Sequence, residues 1–364
     1  MDDITRREFM RRLLAWGVGA AGAGTLLSCG SEPTPAPAPT LRPTEARAAS
    51  TAQPTFTPLP TARPTQSPAT AAPAPTATSE PTATVEPTAT PTPKPSDAYL
   101  AVARGESPAA MVQAALGALG GMARFVTPGD DVIIKPNICV AYHTYEYAAT
   151  TNPEVVAALV TLCLGAGAKR VRVMDQPFGG TPDQAYARSG IGEAVKAAGG
   201  QMEVMSKMKY QDTAIPDGRD ITRWPVYQDV LKADVFIDVP IAKHHSLARL
   251  TLGMKNLMGV VQNRSGLHIN LGQRIADLTS LVRPTLTVVD AVRILMDHGP
   301  TGGSLDDVKL TNTVIASHDI VAADAYAATL FGLTAADIPA TVAGAEMGLG
   351  TMDWGSVRTE EISV

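Results

Sequence analysis

The sequence predicts an α/β domain with a largely parallel sheet covered by helices on both faces, preceded by a disordered Pro/Thr-rich stalk. Short, nearly continuous apolar runs recur along residues 98–364, as expected of strands buried on both faces. Helical patterns with clear start signals alternate with them, which argues a parallel sheet. Residues 31–97 have a composition that cannot build a core.

Residues 1–30 read as a targeting segment. Thr5-Arg6-Arg7-Glu8-Phe9-Met10-Arg11 follows the twin-arginine export pattern. Leu13 to Ser28 then runs without a charge. It falls short of the roughly 20 residues a spanning helix needs, so it is a signal h-region and is set aside from fold reasoning. Leu26-Leu27-Ser28-Cys29 is lipobox-like and makes Cys29 the candidate lipidation site. An uncleaved N-terminal anchor would serve the same end. The expectation is an exported protein, anchored to a membrane and facing outside the cytoplasm.

Ser31 to Asp97 holds 17 of the 29 prolines and a single aromatic, Phe56. It therefore buries too little apolar surface to offset the entropy of ordering. Proline keeps such a chain extended, at about 3.1 Å per residue. The expected role is a spacer.

The α/β domain is expected over residues 98–364. Asp131 to Lys135, Arg170 to Asp175, Asp234 to Val239 and Thr285 to Asp290 read as strands, with a shorter one at Thr313 to Ser317. Ser107-Pro108 and Asn152-Pro153 are N-cap and first-turn pairs. Gly120-Gly121 and the Gly165–Gly167 stretch stop the two helices they start. Leu271 to Val282 and Asp319 to Phe331 read as two further helices. No Gly-x-Gly-x-x-Gly or P-loop pattern follows a strand, which removes the usual signal for a dinucleotide or nucleoside triphosphate.

The net charge of −5 gives no electrostatic footprint for nucleic acid. Cys139 and Cys163 leave one disulfide open, with a buried thiol the simpler reading for Cys163. There is no Cys-x-x-Cys, so no iron–sulfur or Cys-based zinc motif is encoded.

Ligands of open α/β sheets sit at the carboxyl ends of strands. Polar groups recur there. Lys135-Pro136-Asn137 follows the first strand, Asp175 ends the second, Lys243-His244-His245 follow the third, and Asp290 ends the fourth. Lys243 and His245 are two apart, so an extended chain puts them on one face, with His244 on the other. Lys255 and Asn256 come a turn later, in an apolar segment where a solvent-facing lysine is poorly placed.

Cations and amides converging in this way suit a carboxylate or phosphate. Lys135, Asn137, Lys243, Lys255, Asn256, Asp175 and Asp290 are the candidate ligand-binding residues. His245 and His268 are the candidate proton-transfer residues. The same two histidines, joined by Asp175 or Asp290, are the candidates for a divalent metal. Thr150 and Thr151 either cap the helix or offer hydroxyls to an anion at its N-terminus, with capping the simpler reading, and Asp324 is read as a half-buried polar contact within a helix.

At this point the chain resembles a widespread prokaryotic family, domain of unknown function 362. The resemblance rests on VIIKPNICV, ATTNPEVVAALVTLCLGAGAKRVRVMDQP, DVPIAKHHSLARLTLGMKNLMGVV, RIADLTSLVRPTLTVVDAV and HGPTGG, in the family's order. It covers most of Asp131 to about Gly332. The family's Lys-x-His and Lys-Asn positions fall on Lys243, His245, Lys255 and Asn256. Relatives with an added iron–sulfur ferredoxin domain imply redox chemistry for some members.

The leading expectation is a small anionic ligand, bound by the lysines and either held or acted on, with proton transfer by His245, alone or together with His268. A non-catalytic solute-binding or scaffolding domain is the second reading. A metal- or redox-cofactor-bearing protein exported in the folded state is the third.

Overall fold

The computed structural model describes residues 98–364. The export leader, Cys29 and the stalk, expected within residues 1–97, lie outside the described residues. The strands are β1 (Leu100–Arg104), β2 (Asp131–Pro136), β3 (Arg170–Val173), β4 (Gln201–Met202), β5 (Tyr210–Ala214), β6 (Arg223–Tyr227), β7 (Val235–Val239), β8 (Ile241–His245), β9 (Arg249–Thr251), β10 (Leu286–Leu295), β11 (Val308–Ser317) and β12 (Thr359–Ser363). Among the described residues, ten of these make one sheet, whose main path runs β12-β1-β11-β10-β7-β2-β3-β4.

The half of the sheet that carries the site is parallel. β10 pairs with β7, β7 with β2, β2 with β3 and β3 with β4, all in the same direction. β11 is antiparallel to both β1 and β10. The strands expected at Thr285 to Asp290 and Thr313 to Ser317 are both longer than the sequence suggested. Their shared ladder continues past Asp290 to pair Leu295 with Val308, and backbone pairing rather than apolar pattern sets its length. β5 and β6 form a separate hairpin.

Helices cover both faces. Val132 and Ile134 of β2 point into a core with Val112, Leu116, Val155 and Leu159. Their neighbour Ile133 points the other way, toward Ile275, Leu278 and Val321. This is the period-2 alternation of a strand buried on both sides. Leu159 is fully buried, and its truncation to Ala would remove about 2–5 kcal/mol of stability.

The helix signals act locally. The Ser107 side chain caps helix Pro108–Ala118, Asn152 caps helix Pro153–Gly165, and Asp319 caps helix Ile320–Thr329. Helix Leu271–Val282 has the expected bounds. Among the described residues, no helix is long and apolar enough to cross a membrane.

Candidate functional site

Pro240 ends β7, and the chain resumes at once as β8. β8 pairs with β9 through Lys243 and Thr251, and with β10 through Asp290 and Leu295. This short ribbon lies beyond the carboxyl ends of β2 and β7. Together with the loops after β2 and β3 and the turns that follow β9, it encloses a cavity of about 360 Å³. That volume lies in the range of small-molecule sites, about 300–1,000 Å³.

Eight of the nine expected site residues line this cavity: Lys135, Asn137, Asp175, Lys243, His245, Lys255, Asn256 and His268. Asp290 does not. It is buried, and its carboxylate accepts from Asn152 N at 2.7 Å and Val292 N at 3.0 Å. Burial pushes its pKa up to about 6. Its place is corrected from ligand contact to a brace between β10 and helix Pro153–Gly165.

His244 takes the other face of β8, where its Nδ1 accepts from Gly299 N. Asp324, expected to be half-buried, is fully buried and accepts from Gly253 N and Met254 N at 2.6 and 2.9 Å. Thr151 does not cap the helix. Its hydroxyl accepts from Asn137 N and donates to Val239 O, tying the first loop to β7. The Thr150 hydroxyl has no partner among the described residues.

The floor is a chain of polar contacts. Lys135 Nζ lies 2.9 Å from Asp175 Oδ1 and donates to Asn256 Oδ1 and Pro136 O. Asn256 Oδ1 also accepts from Asn137 Nδ2, and Asn256 Nδ2 donates to Asp238 Oδ1. Asn137 Oδ1 in turn accepts from Lys243 Nζ. Asp238 is fully buried with Oδ2 unpartnered, and burial pushes its pKa well above the usual carboxylate range.

Lys243 has no carboxylate partner among the described residues. Its Nζ reaches Asn137 Oδ1, Cys139 Sγ, Ala149 O and Pro300 O at 2.6–3.2 Å. Arg264, a lining residue that sequence reasoning missed, donates among the described residues only to the carbonyls of Gln176, Gly259 and Val261. The Lys255 side chain makes no hydrogen bond or ion pair with any described residue. Burial first, and then Lys243 and Arg264, push its pKa down to about 7. The lining therefore carries four basic side chains against one carboxylate, Asp175.

The two histidines differ in which nitrogen is free. His245 Nδ1 accepts from Leu247 N and Ala248 N, so the neutral ring carries its proton on Nε2. Burial, Lys255 and Lys243 push its pKa down to about 3, which keeps it neutral. His245 is thus a donor, not the expected base: taking a proton on Nε2 would require a hydrogen on Nδ1, against two N–H groups. His268 is the reverse case. It is exposed, and its Nδ1 lies 2.9 Å from Arg264 O. A carbonyl can only accept, so Nδ1 holds the hydrogen and the neutral ring has its lone pair on Nε2.

Gly259 also went unread in the sequence. A Cβ there would lie 2.1 Å from Asp175 Oδ1 and 2.5 Å from Lys135 Nζ, so only hydrogen fits against the ion pair. Cys139 and Cys163 are both free and buried. Among the described residues, no group of three or more His, Cys, Asp or Glu side chains could hold a metal ion.

The fold and cavity define an α/β protein with a cation-rich site beyond the carboxyl edge of a parallel sheet. The chain belongs to the family described as Domain of unknown function (DUF362), which matches residues 132–329. A thylakoid-associated protein of Synechocystis is 28% identical over 246 residues, covering 64% of this chain and 72% of that protein. Two solved structures share parts of the architecture at 10% identity. One is the lactate racemase apoprotein of Thermoanaerobacterium thermosaccharolyticum (TM-score 0.40, 60% of this chain). The other is a structural-genomics protein of Thermotoga maritima (TM-score 0.37, 58% of this chain). The alignments span 54% and 56% of those chains.

Proposed function

We propose that the cavity binds a small organic anion, a carboxylate or a phosphate, and that the protein performs acid–base chemistry on it. The observation that carries this reading is the excess of basic side chains in the lining, four to one carboxylate, with Lys243 and Arg264 satisfied among the described residues only by neutral acceptors. At an effective dielectric of about 20, an anion about 4 Å from one such cation gains about 4 kcal/mol before desolvation. The same imbalance disfavours a bound cation. The His245 Nε2–H donates to an oxygen of the ligand. The His268 Nε2 lone pair receives or returns a proton.

The test is a panel of small carboxylates and phosphates measured by thermal shift and calorimetry. Arg264→Gln should lower affinity for any anion that binds by about tenfold or more, the scale of one charge-assisted hydrogen bond. If no anion in the panel binds, or Arg264→Gln leaves affinity unchanged, the reading fails.

We further propose that the domain works outside the cytoplasm, tethered by its N-terminus. The support is the order of Arg6-Arg7, the uncharged stretch and Cys29. Replacing Arg6-Arg7 with Lys-Lys should impair export, and Cys29→Ala should release the chain from membranes. A failure of either refutes the corresponding part.

A further inference from the structure

We propose that Lys255 is a nucleophile that forms an imine with a carbonyl-bearing anion held in the cavity. The inference rests on the anion reading only for the choice of partner. Its own basis is the contrast between three lysines lining one cavity. Lys135 has three oxygen partners, including the Asp175 carboxylate. Lys243 has four acceptors, three of them oxygens. The Lys255 amine has no partner among the described residues, although it lines the same space.

An ammonium without acceptors, half-buried and surrounded by cations, is unfavourable. The amine responds by shedding its proton: burial, Lys243, Arg264 and Lys135 all push it toward the neutral form. A neutral amine has the lone pair that an ammonium lacks. Desolvation beside another cationic group is a general route to a nucleophilic lysine. The position is also fixed. Lys255 sits in the one-turn helix Gly253–Asn256, whose first N–H groups are held by the Asp324 carboxylate at 2.6 and 2.9 Å.

The neighbouring groups match the steps of the reaction. Lys255 Nζ attacks the carbonyl carbon; a C–N bond forms and the carbonyl π pair moves to oxygen. His245 Nε2–H donates a hydrogen bond to that oxygen, which takes up one proton from solvent and becomes a hydroxyl. The added nitrogen loses one proton to His268 Nε2. The nitrogen lone pair then expels the hydroxyl, which leaves as water with the proton returned by His268, and a protonated imine remains. The balance is one amine, one carbonyl and one proton giving one iminium and one water, with no change in oxidation state. Lys243 and Arg264 hold the anionic end of the ligand.

The experiment uses the full wild-type chain, so no variant has to fold. The protein is incubated near neutral pH with pyruvate and cyanoborohydride, which reduces any imine to a stable amine, and modified lysines are mapped by peptide mass spectrometry. Acetone replaces pyruvate as a neutral carbonyl, and propionate serves as an anion without a reactive carbonyl. Lys255 should be labelled by pyruvate about tenfold or more faster than the exposed Lys196 and Lys207, and propionate should slow that labelling.

If pyruvate leaves Lys255 unmodified while propionate still stabilises the protein, the nucleophile inference falls and the anion reading stands. If acetone and pyruvate label Lys255 equally well and propionate neither binds nor protects, the anion reading falls and the amine remains a nucleophile. Labelling spread evenly over surface lysines overturns the inference outright.

Discussion

Lys135 and Asp175 form a buried ion pair, Nζ to Oδ1 at 2.9 Å, directly against Gly259. The pair joins the end of β2 to the loop after β3, and Asp175 also accepts from Ile138 N at 2.6 Å. Removing one member of such a pair leaves a buried charge unmatched. Lys135→Met should therefore destabilise the domain by about 3–5 kcal/mol, read as a shift in the urea midpoint at constant slope. Gly259→Ala forces a methyl group onto the pair and should cost about 1–3 kcal/mol. If Gly259→Ala is neutral, the close approach is wrong.

Lys243 ties β8 to Asn137 and the Ala149 carbonyl, both between β2 and helix Pro153–Gly165, and to the Pro300 carbonyl between β10 and β11. Lys243→Met keeps the apolar stem but leaves these buried acceptors unsatisfied, at about 1–3 kcal/mol for each group left without water. Stability should fall by about 2–4 kcal/mol. Anion affinity should fall as well. Calorimetric titration of a folded Lys243→Met protein checks the second effect separately from the first.

The core strands and capped helices were legible because they follow local rules. VIIK and VFIDV are apolar on both faces, and Asn152-Pro153 is a start signal that needs no tertiary context. β1 and β12 were not legible. LAVAR lacks the β-branched density of a strand, and TEEIS is a polar edge, so β1 exists through pairing with β11 and β12, and β12 through pairing with β1. The cavity was legible as a set of residues, because polar groups at strand ends are costly without a purpose. The roles were not. Which nitrogen of His245 is free depends on the backbone N–H groups of Leu247 and Ala248, and turn geometry is not written in residue spacing. Asp290 misled for the same reason: its partner, Asn152 N, is far away in sequence. Arg264 stood in a Gly- and Ser-containing loop that reads as solvent-exposed.

His245 is held neutral, with its pKa pushed down to about 3 by burial and by Lys255 and Lys243. The unfolded chain has an ordinary imidazole near about 6.5. Between those values the unfolded state binds a proton that the folded state refuses, so stability contributed at His245 is lost as pH falls through that window. His245→Gln removes this dependence. Buried Asp290 and Asp324, with raised pKa values, work in the opposite direction, so the quantity to measure is the difference between wild type and variant. Urea midpoints should show the wild type losing ground to His245→Gln below about pH 6. A constant difference across that range would show that His245 is not held neutral.

Lys255 has a folded pKa of about 7, against about 10.4 for a lysine in the unfolded chain. Between those values the unfolded state holds a proton that the folded state has released, so the unfavourable contribution of Lys255 is greatest below about pH 7 and fades as pH rises. Lys255→Met should be more stable than wild type near neutral pH, with an advantage that shrinks toward about pH 10. Non-covalent ligand binding reads the same group. An anion beside the amine favours the ammonium and raises its pKa, so at pH 7–8 binding must take up protons from solution. Titration calorimetry of propionate in two buffers of different ionisation enthalpy should give different apparent heats for wild type. The heats should converge for Lys255→Met. Equal proton uptake in both proteins would move the titrating group elsewhere, with His268 the next to replace.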